Sequence, residues 1–193
     1  EAGVALEDIE PILAETDAVM VARGDLGVEL PFEKVPIIQK QLVQKCIDKA
    51  RPVIIATQMM ESMIINARPT RAEAADVANA IIDGADAVML SGETAIGKHP
   101  SKVTHMIHKI AQMIEEEEAI YYKDLLPHPS SGTYLSDAVC YSSCKLAKDV
   151  NASAIIGMTR SGYTAFMISS YRPKANIYIF TDNEKILNTL SLV

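Results

Sequence analysis

The sequence predicts an α/β protein in which parallel β-strands alternate with helices. Three short apolar runs, rich in β-branched side chains, occupy 18–22 (AVMVA), 53–56 (VIIA) and 87–90 (AVML), and their centres are 34 residues apart. Runs of this length without polar alternation suit strands that are buried on both faces of a parallel sheet. Helical patterns fill the gaps between them. Together these features predict strand–helix units with right-handed crossovers, in either a (β/α)8 barrel or an open doubly wound sheet.

Composition and charge exclude several classes of protein. The 193 residues are 49% apolar and 22% charged, which is ordinary globular composition. With 18 basic and 25 acidic side chains the net charge is −7, so neither nucleic acid nor an anionic membrane is expected as the main partner. No apolar stretch approaches the length of a membrane span. Three cysteines, an odd number, predict reduced thiols and a cytoplasmic location.

Both ends of the sequence suggest a piece of a longer protein. Glu1, rather than Met, opens the chain, and near its other end Leu187, Leu190, Leu192 and Val193 are apolar, with no helix-stop residue after them. Natural termini are usually polar and frayed. We therefore expect that further chain belongs to the same protein.

Helical patterns follow each predicted strand. A first helix begins at Val35, with apolar positions every three or four residues: Ile38, Leu42, Cys46 and Ala50. A second has a defined start and stop, because Thr70 to Glu73 (TRAE) form a capping box and Gly84 suits a left-handed C′ position. A third follows Pro100, with one apolar face: Val103, Met106, Ile107, Ile110, Met113 and Ile114.

Polar or ionisable groups follow all three predicted strands. The three segments are 23–25 (RGD), 57–58 (TQ) and 91–94 (SGET). Each of them alone could be only a turn or a helix cap. In parallel α/β folds, however, the C-terminal ends of neighbouring strands meet at one edge, which holds the functional site. Carboxylates after two strands and hydroxyls beside them predict a metal-assisted site for an oxyanion substrate, with Mg²⁺ or Mn²⁺ favoured by the hard oxygen donors.

A second, smaller unit is predicted after the Pro- and Ser-rich segment 124–133 (DLLPHPSSGT), which indicates a domain boundary. A helix opens at Ser136, and its two cysteines, Cys140 and Cys144, are interpreted as core thiols rather than as a metal pair. Two strands follow at 154–158 and 177–180, each leading into a helix. The turn at 159–164 (TRSGYT) is either a phosphate cradle or only a capped helix start.

Four segments together resemble the pyruvate kinase family. They are 19–29 (VMVARGDLGVE), 56–63 (ATQMMESM), 68–80 (RPTRAEAADVANA) and 83–95 (DGADAVMLSGETA), and the resemblance extends in order over essentially the whole chain.

The resemblance implies a fold and a division into domains. Residues 1–118 would be the last three strand–helix units of a (β/α)8 TIM barrel, the catalytic domain. Residues 119–133 would be a linker, and 134–193 would begin a small α/β sandwich domain with a regulatory role.

The resemblance also implies an activity and its cofactors. The parent enzyme would transfer a phosphoryl group from phosphoenolpyruvate to ADP, giving pyruvate and ATP in glycolysis. It would use Mg²⁺ or Mn²⁺ together with K⁺, and it would be a cytoplasmic homotetramer. Asp25 would hold the divalent ion.

Further site residues follow from the same resemblance. The backbone N–H groups of Gly24 and Asp25, with the Thr57 hydroxyl, would hold the substrate carboxylate. Ser91 and Glu93 would serve to protonate the enolate.

Three more assignments by resemblance lie outside that set. Arg23 would support the catalytic groups, and Arg71 would contribute to a subunit interface. The turn at 159–164 resembles an allosteric loop, in which Tyr163 stands where several members carry a basic residue. The positions that would grip an effector phosphate are Thr159, Arg160, Ser161, Gly162 and Thr164.

Other functional groups of the family would lie before Glu1, namely the catalytic Lys, a second metal carboxylate, the K⁺ ligands and most nucleotide contacts. The 193-residue chain by itself is therefore predicted to be inactive. Two other functions stay open from the residues: a metal-dependent aldolase or lyase acting on pyruvate enolates, and a non-catalytic folding or oligomerisation unit.

Overall fold

The computed structural model describes residues 8–123 and 125–193, which form two compact units, one ending at Glu117 and the other beginning at Glu118. Glu1, on which the expectation of a longer protein partly rests, lies outside the described residues. The first unit contains α1 (Ile9–Glu15), β1 (Val19–Ala22), α2 (Arg23–Glu29), α3 (Val35–Asp48), β2 (Val53–Ala56), α4 (Arg71–Asp83), β3 (Ala87–Val88), α5 (Gly92–Ala95) and α6 (Pro100–Glu115), with 3-10 turns at Phe32–Lys34 and Glu61–Ile64.

The second unit begins with a 3-10 turn at Glu118–Ile120. Its other elements are α7 (Tyr134–Asp149), β4 (Ala154–Met158), α8 (Tyr163–Ser170), β5 (Asn176–Phe180) and α9 (Glu184–Leu190). Among the helices that the structure describes, none combines the length and the apolar character that crossing a membrane requires.

The strands of the first unit form a parallel sheet in the order β1-β2-β3, which confirms the α/β prediction. Val19 pairs with Val53 and Ala22 with Ala56, so the first two strands are aligned at both ends. Ile55 pairs with Val88 in the third strand. Because all three run in the same direction, their C-terminal ends open at one edge.

The third strand is shorter than predicted. The apolar run extends over 87–90, but strand geometry covers Ala87–Val88 alone. One more ladder bond follows, from the Met89 N–H to the Ile55 carbonyl at 2.9 Å. The backbone then turns at Ser91 (φ −127°, ψ −100°) to begin α5, and this turn ends the pairing.

The prediction that both sheet faces are buried is wrong for β1. Val21 and its partner Ile55 are buried, whereas Met20 on the opposite face is 53% exposed. The covered face packs against apolar side chains from the helical segments, with a buried set that includes Leu42, Val43, Cys46, Val77 and Ala80. Among the described residues the sheet is therefore covered mainly on one face.

The second unit is a two-stranded parallel sheet flanked by helices. Ala154 pairs with Asn176 and Met158 with Phe180. Helix α7 starts two residues earlier than the predicted Ser136. Cys140 and Cys144 are buried, as predicted for core thiols, and burial raises their pKa values to about 11 and about 12. Within the described ranges, no cluster of three or more His, Cys, Asp or Glu side chains could hold a metal ion.

Helix α4 has the start and stop that the sequence predicts. The Thr70 hydroxyl accepts a hydrogen bond from the Glu73 N–H, and the Glu73 carboxylate accepts one from the Thr70 N–H at 2.7 Å. Gly84 ends the helix in the left-handed region (φ 103°), where a side chain would also collide with Ile47. Glu73 accepts two further bonds, from the N–H and hydroxyl of Ser62, so it fastens the loop after β2 to the helix.

These contacts set the charge state of Glu73. Partial burial raises the pKa of its carboxyl, but the hydrogen bonds donated by Ser62 and Thr70 outweigh burial and hold the pKa below its usual value. A carboxyl whose pKa is lower in the folded state contributes stability above the unfolded-state pKa and loses it as the pH falls through the folded-state value.

We predict that Glu73→Gln lowers the free energy of unfolding by about 1–2 kcal/mol at pH 7, because charge-assisted hydrogen bonds are lost. The difference from the wild type should shrink as the pH falls below the usual carboxyl value of 4.5. Urea unfolding of the full-length protein at several pH values measures both effects. Glu61→Gln, at an exposed carboxylate on the same loop, is the control and should change little; a pH-independent difference for Glu73→Gln would contradict the assignment.

Candidate functional site

Helix α2 begins directly at the end of β1. Arg23 is its first residue, and Gly24 and Asp25 lie in its first turn. Backbone N–H groups of a first turn have no acceptor within their own helix. The residues that follow β1 therefore bring N–H donors that need acceptors from outside the helix to the C-terminal edge of the sheet.

The ends of β1 and β2 are joined by a hydrogen bond from the Gly24 N–H to the Thr57 hydroxyl oxygen at 2.9 Å. The structure thus brings together two groups that were predicted to share one substrate carboxylate. Because the Thr57 oxygen accepts this bond, its own proton is available for another acceptor. The Thr57 hydroxyl and the first turn of α2 therefore lie side by side at the edge of the sheet.

The backbone after β2 is strained. Thr57 and Gln58 both have left-handed conformations, with φ values of 70° and 53°. Such angles are rare for residues with side chains, and for a β-branched threonine they are a clear outlier. Each costs about 1–3 kcal/mol and persists only where surrounding contacts impose it, as at ligand sites. This strain is an independent indication that the Thr57 segment has a function beyond connecting two elements.

Arg23 supplies the contacts that hold the strained segment. Its guanidinium donates to the Thr57 carbonyl at 2.6 Å and to the Asp76 carboxylate at 2.5 Å, and it also contacts the Met59 sulfur at 3.0 Å. The side chain is 12% exposed. Asp76, on α4, is a site residue that the sequence analysis missed, because it lies 53 residues from Arg23 and outside the segments that follow the strands.

Glu93 joins the ends of β2 and β3. It is 3% exposed, and its two carboxylate oxygens accept hydrogen bonds from the backbone N–H of Met60 at 3.1 Å and of Ser91 at 2.9 Å. Each oxygen thus accepts one hydrogen bond from the protein. Ser91 itself is exposed, and its hydroxyl has no hydrogen-bond partner among residues 8–123 and 125–193.

Asp25 differs from Glu93 in its surroundings. Its carboxylate is exposed and makes no hydrogen bond or ion pair with any residue that the structure describes. Mg²⁺ and Mn²⁺ prefer such oxygen donors, and Mg²⁺ commonly binds through one or two carboxylates, with water and substrate oxygens completing its shell. The donor at Asp25 therefore fits a divalent ion, although it supplies a single protein carboxylate.

Arg71 is not part of this group of contacts. It is the first residue of α4, and its exposed side chain has no ion pair with the other described residues. Its position leaves the guanidinium accessible on the surface of the first unit.

The turn between β4 and α8 is closely built. The Thr159 hydroxyl accepts a bond from the Gly162 N–H at 3.0 Å, and the Ser161 hydroxyl accepts a longer one from the Tyr163 N–H at 3.4 Å. Gly162 has φ 83°, and a Cβ there would lie 3.1 Å from side-chain atoms of neighbouring residues. Arg160 is exposed on this turn.

The side chain of Tyr163 is not directed at a ligand of the turn. Its hydroxyl donates to the buried Asp137 carboxylate at 2.6 Å, and the Thr133 hydroxyl donates to the other oxygen of Asp137 at 2.8 Å. Burial and the neighbouring Asp137 raise the pKa of Tyr163. Arg160 is therefore the cation that the turn 159–164 presents, and Thr164 lies half-buried in the first turn of α8.

We predict that Arg23→Met and Asp76→Asn each lower the free energy of unfolding by about 1–3 kcal/mol, because each leaves a partly buried charged or polar partner unsatisfied. The double variant should lose less than the sum, with a coupling energy of about 1–2 kcal/mol by urea unfolding of the full-length protein.

The matched control is the ion pair between Lys45 and Glu10, whose side chains are 40% and 51% exposed. The coupling energy in a Lys45→Met, Glu10→Gln cycle should stay below about 1 kcal/mol, because solvent screens an exposed pair. Equal coupling energies in the two cycles would contradict the claim that the contact between Arg23 and Asp76 holds the Thr57 segment in its conformation.

Comparisons with known proteins agree on one family. Residues 1–104 match the pyruvate kinase barrel domain, and residues 137–193 match the pyruvate kinase alpha/beta domain. Pyruvate kinases from Bacillus licheniformis and Geobacillus stearothermophilus are each 50% identical to the chain, over 97% and 100% of its length. The chain spans about a third of the length of these curated relatives, 32% in both cases.

A solved structure leads to the same conclusion. The crystal structure of a pyruvate kinase from Cryptosporidium parvum has a TM-score of 0.88 and 40% sequence identity, and the match covers 97% of this chain and 38% of that one. These similarities favour the pyruvate kinase family over a family of aldolases or lyases. The chain belongs to the pyruvate kinase family and corresponds to a segment of its longer members.

Proposed function

We propose that this chain supplies part of the active site of an enzyme that transfers the phosphoryl group of phosphoenolpyruvate to ADP, giving pyruvate and ATP. The observation that carries the proposal is the hydrogen bond between the Gly24 N–H and the Thr57 hydroxyl, with the exposed Asp25 carboxylate next to it in the chain. Membership of the pyruvate kinase family supports the choice of substrates.

The segment would work within a longer polypeptide. In our proposal residues 1–118 are the last three strand–helix units of the barrel, 119–133 are a linker, and 134–193 begin the regulatory α/β domain. The catalytic Lys, a second metal carboxylate, the K⁺ ligands and most nucleotide contacts would come from the rest of that polypeptide. The family match and the share of the relatives that is covered support this division.

Binding of the substrate carboxylate is the first role of these residues. The Thr57 proton, free because its oxygen accepts from Gly24, would donate to one carboxylate oxygen. The Asp25 N–H, in the first turn of α2, would donate to the other. Arg23 keeps the Thr57 backbone in the conformation that this requires, so it is a positioning residue.

Asp25 would also hold Mg²⁺ or Mn²⁺ through its side chain. When bound, the divalent ion supplies positive charge that offsets the charge on the phosphoryl and enolate oxygens. The carboxylate is exposed and has no partner among residues 8–123 and 125–193, which supports this assignment.

Protonation of the enolate is assigned to the Ser91 side chain. Its exposed hydroxyl lies at the end of β3. Glu93 accepts backbone bonds from Ser91 and Met60 with its two oxygens, so it would position Ser91, and the remaining lone pairs would let it share in the proton transfer.

Assembly and regulation extend the proposal. Arg71 would contribute to the contacts of a cytoplasmic homotetramer, which its exposed position at the start of α4 permits. The turn 159–164 would bind the phosphate of an allosteric effector through its backbone N–H groups and Arg160, with Thr159, Ser161, Gly162 and Thr164 shaping it.

We predict that Asp25→Asn in the full-length protein lowers kcat by about 10²–10³-fold, as expected when transition-state charge loses its stabilisation. Thr57→Val should lower kcat/KM for phosphoenolpyruvate by about 10–100-fold, whereas Thr57→Ser retains most of it, since only valine removes the hydroxyl. ADP-dependent pyruvate formation with added Mg²⁺ is the assay.

Glu33→Gln, at an exposed carboxylate in the same unit, is the control and should leave kcat unchanged. The 193-residue chain alone should give no ADP-dependent pyruvate. Wild-type kcat in Asp25→Asn, or pyruvate released by aldol cleavage without ADP, would refute the proposed function.

A second prediction concerns the effector turn. Arg160→Ala should weaken activation by a phosphorylated effector by about tenfold or more in half-maximal concentration, measured with a panel of phosphate monoesters as probes. Basal kcat should not change. Lys174→Ala, at another exposed cation of the second unit, should be activated by the effector as the wild type is. If Arg160→Ala also responds as the wild type does, the turn does not bind the effector.

A further inference from the structure

The unit that begins at Glu118 contains a cavity of about 190 Å³ that the proposed function does not use. Its walls come from the C-terminal half of α7, the residue after α8 and the segment around Tyr122. Cationic and aromatic side chains make up most of the lining: Tyr122, Lys123, Tyr141, Lys145, Lys148 and Tyr171.

One wall is held in place by backbone pairing. The Tyr122 N–H donates to the Arg172 carbonyl at 2.8 Å, and the Lys123 N–H donates to the Tyr171 carbonyl at 3.0 Å. These two bonds bring a segment that precedes α7 against the end of α8, and the cavity lies beside them. The wall of the cavity at Tyr122 and Lys123 is therefore fixed by backbone hydrogen bonds.

The same pairing involves strained backbone. Tyr122 (φ 58°) and Arg172 (φ 49°) both adopt left-handed conformations that bulky residues rarely occupy. They are also the two residues joined by the first backbone bond. Strained conformations of this kind collect at ligand sites and switch regions. The strained backbone is a second observation, independent of the lining residues, that indicates a functional site at this cavity.

Aromatic rings pack against each other in the inner wall. Tyr171 is 2% exposed, and its ring packs edge-to-face on Tyr141 with centroids 5.6 Å apart. The Lys148 ammonium lies 4.7 Å from the centroid of the Tyr122 ring, a cation–π distance. One of the lysine charges is thus held at the cavity by a ring instead of by a carboxylate.

Positive charge is concentrated here in an otherwise acidic chain. The net charge of the chain is −7, yet three of the seven Lys and Arg residues between 118 and 193 line this cavity, with Asp149 as a carboxylate beside them. Lys145 and Lys148 are three residues apart on one helix, where like charges repel each other. Neither forms an ion pair with another described residue within 4.0 Å, so a bound anion would relieve the repulsion.

We propose that this cavity binds a small phosphate monoester. Lys145 and Lys148 together favour an anion with more than one negative charge, and lysine ammoniums bind phosphate oxygens as point charges from several directions. The volume leaves room beyond the phosphate for a small organic group against the tyrosine rings. This proposal does not rest on the proposed catalytic function or on the effector turn.

Lysine labelling of the full-length protein tests the site directly. Acetylation of individual lysines is measured by mass spectrometry with and without phenyl phosphate, in the absence of divalent ions. At ten times the dissociation constant, modification of Lys145 and Lys148 should slow about tenfold, while Lys174 in the same unit reacts unchanged. Phenol, which has the ring without the charge, should protect neither lysine.

Calorimetric titration of phenyl phosphate measures affinity in an Arg160→Ala background, which removes the cation of the effector turn. Lys145→Gln with Lys148→Gln should weaken binding about tenfold, and Asp149→Asn should tighten it about threefold. Lys174→Gln is the matched control and should change nothing.

Three results would overturn the proposal. The first is equal labelling of Lys145 and Lys148 with and without phenyl phosphate, and the second is unchanged affinity in the double variant. The third is protection by inorganic phosphate as strong as that by phenyl phosphate, because the tyrosine rings would then contribute nothing to recognition.

Discussion

Parallel pairing of β1, β2 and β3 in register is the constraint on which the candidate site depends. Because Ala22 and Ala56 are paired, the residues after the two strands leave the sheet side by side. Two hydrogen bonds then join neighbouring strand ends, Gly24 to Thr57 and Met60 to Glu93, and each connects residues 33 positions apart. That separation is close to the 34-residue spacing of the strands, so equivalent positions of successive strand–helix units are hydrogen-bonded to each other at the edge of the sheet.

Strain at this edge is balanced by charge. The left-handed backbone at Thr57 is unfavourable by itself. The Arg23 guanidinium offsets the cost with a hydrogen bond to the Thr57 carbonyl, and Asp76 holds the guanidinium in turn. Asp76 comes from α4, whose capped start is fastened to the same loop through Glu73. The conformation of Thr57 is therefore a property of the whole unit rather than of its own short segment.

Local sequence patterns predicted the elements of this structure better than its connections. Strand positions, the Thr70 capping box and the left-handed Gly84 depend on neighbouring residues and could be predicted, as could the residues that follow each strand. The helix at Arg23, the short β3 and the role of Asp76 could not, because each depends on contacts between residues far apart in the chain. Glu93 illustrates the limit: its position was predicted, but its burial between two backbone N–H groups comes from β2 and β3 together.

The central claim is that Asp25 and Thr57 serve one cation-bearing site at the C-terminal edge of the sheet. Anomalous diffraction from crystals of the full-length protein grown with Mn²⁺ tests it most directly. The account requires a manganese peak within coordination distance of the Asp25 carboxylate, on the side of the sheet edge where the Thr57 hydroxyl meets the Gly24 N–H. Manganese bound elsewhere, with Asp25 facing solvent and Thr57 on the opposite rim, would contradict it.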